Sequence, residues 1–203
     1  MKLVLASASP ARAMLMRNAG LRFEVLVSHV DEEAIQAAKP ELTPAELVVE
    51  LAQAKAQAVA AQVSDALVIA ADSMFLFDGS LYGKPLDPEV ARERLSRMQS
   101  KFGELITGHA VIDTNTGICY SAVASAIVQF SGMSETEISA YLASKEPLHV
   151  AGNFTLDGLG AAFIEQVSGD PAAVVGLSLN TLRKLINSHG YEYTQLWQLG
   201  SNN

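Results

Sequence analysis

The chain has 203 residues, 49% of them hydrophobic and 18% charged, enough for one large domain or two closely packed lobes with a substantial core. Its 14 basic and 22 acidic residues give a net charge of −8, a surface that repels phosphate backbones and argues against broad nucleic-acid binding. Apolar stretches break well before the roughly 18 residues needed to span a membrane, the apolar run near the N-terminus is too short for a signal h-region, and the one cysteine, Cys119, leaves no intramolecular disulfide. A cytoplasmic protein without membrane or nucleic-acid partners is expected.

In chain order, the pattern predicts a strand over 2–6 that runs at Ser7-Ala8-Ser9 into an amphipathic helix over 10–19, closed by Gly20. A second strand is expected over 23–27, followed by an acidic loop through Asp31-Glu32-Glu33. Thr43 and Pro44 read as N-cap and first residue of a long Ala-rich helix reaching about 63. Residues 66–77 read as a buried strand ended by the turn Asp78-Gly79. Asp87-Pro88 opens a charged helix over 88–100. Strands over 104–113 and 118–130 form a hairpin across Asn115-Thr116-Gly117. Ser134 caps a helix over 135–144, a Gly-rich segment over 152–160 leads to a strand over 161–167, and a last helix covers 175–188. The tail, 189–203, is weakly patterned, with Tyr191, Tyr193 and Trp197 expected to pack on the body. The alternation argues an α/β fold with a mixed sheet covered by helices.

The strand over 66–77 contains LVIAADSMFLF, nine apolar residues interrupted only by Asp72 and Ser73. An ionised carboxylate is costly to bury unless it is paired, metal-bound or protonated, so Asp72 reads as functional and in need of partners. Five other places carry residues that stand out. The strand-to-helix junction SASPAR presents unpaired helix amides, the hydroxyls of Ser7 and Ser9, and Arg12 in the first turn, where a cation opposes the helix dipole. That arrangement suits a bound phosphate, although Ser9 as a simple cap beside a solvated Arg12 reads equally well. Lys55 lies within the apolar stripe of its helix, four residues after Leu51 and four before Val59. It either snorkels to the edge of the core or points into a site holding negative charge. Lys84 sits in the turn Gly83-Lys84-Pro85, where taken alone it reads as an ordinary exposed lysine, and Asp31-Glu32 either form a solvated acidic loop or offer oxygen ligands to Mg²⁺ or Mn²⁺. In AGNFTLDGLG, residues 151–160, three glycines permit close backbone approach, and Asp157 between them can accept hydrogen bonds from a base edge.

Taken together these segments resemble the Maf family of nucleoside triphosphate pyrophosphatases. The resemblance runs from residue 3 to about 186. It rests on Ser7, Ser9, Pro10 and Arg12, on Val30-Asp31-Glu32, on Ala54-Lys55, on Ala71-Asp72-Ser73, on Gly83-Lys84-Pro85, and on the later stretches EPLHVAG and GDPAAVVGLSL. It implies one domain over 1–203 with an elongated, bent mixed sheet, flanking helices and two lobes around a cleft, similar to inosine triphosphatases, and commonly a homodimer. The implied activity is hydrolysis of a nucleoside triphosphate to monophosphate and pyrophosphate with Mg²⁺ or Mn²⁺, in a house-cleaning role against non-standard nucleotides. Arg12, Lys55 and Lys84 would hold the triphosphate, Glu32 would serve the metal, and Asp72 would act as proton acceptor or as metal ligand. The family's association with septum formation supplies the alternative of a nucleotide-binding regulator with little turnover.

The chain departs from the family pattern at Ala11 and Ala13, where basic residues are common. In the base-reading positions it carries Ser73 and Asp157. The dTTP- and UTP-directed branch has threonine and glutamine there, and the 7-methyl-GTP branch glutamine and glutamate. A third, less selective set is the expectation.

Overall fold

The computed structural model describes residues 1–198. Seven strands form one mixed sheet in the order β2-β1-β3-β5-β6-β7, with β4 paired to β3. The strands are β1 (Lys2–Leu5), β2 (Glu24–Val25), β3 (Ala66–Phe77), β4 (Ser80–Tyr82), β5 (Phe102–Asp113), β6 (Cys119–Phe130) and β7 (Ile164–Gly169). The helices are α1 (Pro10–Asn18), α2 (Glu32–Ala38), α3 (Pro44–Ala60), α4 (Pro88–Met98), α5 (Glu135–Ala143), α6 (Pro171–Val175) and α7 (Leu179–Ser188). β1 pairs in parallel with β2 and β3, while β3–β4 and β6–β7 are antiparallel, so the expected α/β class with a mixed sheet and flanking helices holds.

The chain divides into two compact units. The first comprises residues 1–72, 107–124 and 176 onward; the second comprises 73–106 and 125–175. In the first unit, β3 shows why the segment 66–71 is apolar at every position. Side chains alternate between faces. Leu67, Ile69 and Ala71 join a core with Leu5, Met16, Val111, Leu182 and Ile186, while Ala66, Val68 and Ala70 join a second core with Ala52, Ala56 and Val59 of α3. Both faces are covered, as in a parallel sheet. The helix α3 starts where Thr43 accepts from the Glu46 amide and Glu46 reaches back to the Thr43 amide, a reciprocal cap. Its seat on the sheet depends on Gly108 of β5. A Cβ added there would lie 2.3 Å from the carbonyl carbon and oxygen of Val48, backbone atoms that cannot yield without moving the helix.

In the second unit an aromatic core gathers Phe75, Phe77, Phe130 and Phe154, with Phe75 edge-on to Phe130 and Phe154 at centroid distances of 5.7 and 5.4 Å. The helices α4 and α5 pack through Ala91, Leu95, Ile138 and Tyr141.

Several boundaries differ from the sequence reading. The acidic stretch is the start of α2 rather than a loop, because Asp31 accepts from the Ala34 amide as N-cap and Glu32 and Glu33 suit the positive end of the helix. The expected last helix is two, α6 and α7. The chain breaks at Gly176, whose φ is +117°, and Ser178 caps α7 by accepting from the Thr181 amide. Residues 159–163 form a 3₁₀ turn, so β7 begins at Ile164 and runs to Gly169. Beyond Asp78-Gly79 the chain turns back as β4, which the sequence did not reveal. The described part of the tail packs as expected: the Tyr191 hydroxyl donates to Asp113 at 3.0 Å, and Trp197 forms an isolated bridge with Leu21. Residues 199–203 of the expected tail lie outside the described residues. Among the described residues no helix is long and apolar enough to cross a membrane.

Candidate active site

The period of β3 dictates where Asp72 points. As an even-numbered residue it shares the face of Val68 and Ala70, and that face is the one α3 covers. On α3, Val48, Ala52, Lys55, Ala56 and Val59 form the buried stripe. A carboxylate on the covered face of the strand therefore meets a lysine on the covering face of the helix. Lys55 Nζ lies 2.5 Å from Asp72 Oδ1, and both side chains are more than 90% buried. The lysine points inward rather than snorkelling.

A second carboxylate reaches the same ammonium. Glu32 Oε1 is 2.8 Å from Lys55 Nζ, with the Glu32 side chain half exposed at 52%. Glu32 is the first residue of α2, and the Asp31 cap that fixes the helix start also sets the direction in which Glu32 projects. Asp31 itself uses its side chain as the cap, so of the expected acidic pair only Glu32 joins the cluster.

Arg12 completes the group. β1 aligns Leu5 with Ile69, and the Ala6 amide donates to the Ile69 carbonyl at 2.7 Å, so the chain leaves the sheet beside the strand that carries Asp72. Ligand sites in such sheets form where parallel strands end at their carboxyl termini. Ser9 then caps α1, accepting from the Arg12 amide, and Ser7 Oγ accepts both the Ser9 amide and Arg12 Nη1, each at 3.2 Å. Ser9 is therefore a cap, and Arg12 is held by Ser7 and by the Gly176 carbonyl rather than solvated. Both serine oxygens act as acceptors in these bonds, leaving their hydroxyl protons for a ligand. Arg12 Nε donates to the Gly176 carbonyl at 2.8 Å.

The charges tune one another. Burial pushes the Asp72 carboxyl above the usual carboxylate range, against the pull of Lys55 and Arg12, and Glu32 pushes the same way as burial. Burial lowers the Arg12 guanidinium, while Asp72 and Glu32 oppose that; the group stays charged because its ordinary value is so high. Two carboxylates and two cations leave the cluster with no net formal charge.

The donor set fits a hard divalent cation. Glu32 and Asp72 present oxygens to one common point, the Lys55 ammonium. Among the described residues no three His, Cys, Asp or Glu converge as a metal cage. Two carboxylates without nitrogen or sulfur ligands suit Mg²⁺ or Mn²⁺, ions that keep waters and bind substrate phosphates, and not a structural zinc.

In the second unit stand the other residues singled out in the sequence. Ser73 follows Asp72 on β3 and is half-buried, Lys84 is exposed in the turn before α4, and Asp157 is exposed between Thr155 and Gly158. The sequence reading missed the support behind Arg12. His109, 1% exposed on β5, accepts from the Ser178 amide through Nε2 at 2.8 Å, fixing the segment whose Gly176 carbonyl takes Arg12. The bond joins residues 69 positions apart, and no local pattern signals it.

The chain is similar to known proteins over nearly its whole length. A family profile described as Maf-like protein matches residues 2–189. A nucleoside triphosphate pyrophosphatase from Streptomyces coelicolor is 53% identical over 97% of this chain and 94% of its own length. One of the same name from Nocardia farcinica is 48% identical over 97% and 96%. A solved nucleoside-triphosphatase / dITP/XTP pyrophosphatase from Mycobacterium abscessus aligns at 16% identity with a TM-score of 0.40, covering 80% of this chain and 93% of that one, too distant a likeness to carry weight.

Proposed function

This chain belongs to the Maf-like protein family, and from that membership we propose that it hydrolyses nucleoside triphosphates to nucleoside monophosphates and pyrophosphate. The observation that carries the reading is the convergence of Asp72 and Glu32, from different elements, on Lys55, with Arg12 tied to Ser7 just beyond β1 and to the Gly176 carbonyl. A buried ion pair kept for stability alone gains little over apolar side chains of similar volume. Reacting chemistry gives the cluster a purpose.

In this reading Asp72 orients a water and accepts its proton as the oxygen attacks the α-phosphorus. Burial makes it a stronger base than an exposed aspartate. Lys55 and Arg12, with the hydroxyls of Ser7 and Ser9, hold phosphate oxygens and stabilise the charge that develops on the leaving pyrophosphate. Glu32 and Asp72 would hold Mg²⁺ or Mn²⁺, which supplies positive charge against the phosphates. Lys84 binds the triphosphate as well. Ser73 and Asp157 face the base, and a carboxylate at 157 can accept from both N1–H and N2–H₂ of a guanine-like edge, whereas uracil offers a single N3–H. The role is removal of non-standard or surplus nucleotides, in a cytoplasmic homodimer.

The test is pyrophosphate release with Mg²⁺ or Mn²⁺ from dTTP, UTP, CTP, GTP, 7-methyl-GTP and the pseudouridine and inosine triphosphates. Turnover on at least one nucleotide, abolished by EDTA and restored by added metal, is the expected outcome. Tight nucleotide binding in a thermal-shift assay without turnover would replace this reading with that of a nucleotide-sensing regulator of septum formation.

A further inference from the structure

Outside the cluster, the most heavily used carboxylate in the described chain is Glu146, in the 3₁₀ turn after α5. It is half-buried and accepts four hydrogen bonds. Its Oε1 takes the Thr155 hydroxyl at 2.5 Å, the Gly160 amide at 2.9 Å and the Tyr141 hydroxyl at 3.0 Å; its Oε2 takes the Leu159 amide at 2.9 Å. Three of the four donors come from 155–160, the loop that carries Asp157. They lie on both sides of that residue, so the carboxylate staples the loop's two ends and leaves Asp157 exposed at its tip.

The glycines of the loop are shaped to this anchor. A Cβ at Gly158 would lie 2.5 Å from Glu146 Oε2 and 2.8 Å from Thr155 Oγ1, and one at Gly160 would lie 2.4 Å from the Tyr141 hydroxyl oxygen. A side chain at Gly158 would displace the carboxylate itself, and one at Gly160 would displace its donor Tyr141 or the Thr155 backbone. Burial pushes the Glu146 carboxyl up, but the bonds from Thr155, Leu159, Gly160 and Tyr141 outweigh it and hold the group below the usual carboxylate range. The anchor is therefore ionised at neutral pH. A hinged, solvent-exposed loop would present its aspartate in many orientations, and a fixed one presents it in a single direction, which is what discrimination by hydrogen bonding requires.

We propose that Glu146 is a positioning residue for nucleobase selection, fixing the 155–160 loop so that Asp157 meets the base edge in one orientation. The inference rests on the reading of Asp157 as a base-facing residue and adds the element that makes it selective. Glu146 touches neither the phosphates nor the reacting water; it acts through the loop.

The experiment compares Glu146→Gln, Thr155→Val, Asp157→Asn and the Glu146→Gln/Asp157→Asn double variant on the enzyme's preferred nucleotide, with inorganic tripolyphosphate as a competitive inhibitor that has no base. However the glutamine amide is turned, its NH₂ confronts an N–H or O–H donor of the anchor. Glu146→Gln is expected to raise KM five- to tenfold with kcat within threefold, and to leave the tripolyphosphate inhibition constant within twofold. Thr155→Val, which leaves the carboxylate in place, should move KM the same way by a smaller factor. The double variant should be no worse than the poorer single one, because both changes remove one contact. Unchanged KM in Glu146→Gln, or a parallel rise in the tripolyphosphate constant, overturns the proposal while leaving the base-facing reading intact. Wild-type KM in Asp157→Asn overturns both.

Discussion

Asp72→Asn is expected to lower kcat by roughly 10³-fold while changing KM less than tenfold, the size of effect associated with losing a positioned general base. Asparagine keeps the shape and one acceptor oxygen but cannot take a proton. The wild-type pH profile offers an independent check. Burial holds the Asp72 carboxyl above the usual carboxylate range, so the active, ionised form is lost as pH falls through that raised value. The acid limb of kcat should therefore stand above the ordinary carboxylate range and vanish from the residual activity of Asp72→Asn. A limb at an ordinary carboxylate value, or one retained in the asparagine variant, assigns the proton transfer to another group.

Lys55→Ala should act on binding, pH response and stability together, since the ammonium serves all three. Removing it takes one cation from the phosphate site, and KM for the nucleotide is expected to rise ten- to a hundredfold. It also strips Asp72 of the partner at 2.5 Å. Lys55 pulls the carboxyl down, so without it the acid limb should move to higher pH. Breaking one side of a buried pair typically costs about 3–5 kcal/mol, and the low end applies here because Arg12 still faces Asp72. About 3 kcal/mol in a chain of this length corresponds to a fall of roughly 6–12 °C in Tm. Denaturation at neutral pH and a pH–rate profile of the variant measure these consequences. A fall in kcat alone with unchanged KM would instead mean that Lys55 contacts only the transition state.

The fold was legible where one local rule decided the outcome. β3 spans Ala66–Phe77 as its apolar run indicates, and α3 starts at Pro44 because Thr43 and Glu46 cap it reciprocally. The pattern failed where a local signal had two meanings. The acidic run at Asp31-Glu32-Glu33 reads as a loop by polarity and as a helix start by capping, and capping prevails. At Gly176-Leu177-Ser178 the buried Leu177 continues the apolar period and hides the break between α6 and α7.

The site shows the same division. Asp72 and Lys55 each stood out as a charge in an apolar stripe, yet periodicity along one segment cannot say that two stripes face each other. That needed the parallel pairing of β1 with β3 and the close approach of α3 at Gly108. His109 looks ordinary in sequence, and Glu146 stands out only as the first residue of EPLHVAG, with no role of its own. Their work lies in bonds to residues 69 and up to 14 positions away, which no local pattern encodes.

The most direct measurement of the central claim is hydrolysis of the preferred nucleotide in H₂¹⁸O, followed by mass spectrometry of both products. Attack at the α-phosphorus by a water activated at Asp72 predicts one ¹⁸O in the nucleoside monophosphate and none in the pyrophosphate. Label in pyrophosphate, or nucleoside diphosphate accompanied by labelled orthophosphate, would contradict it.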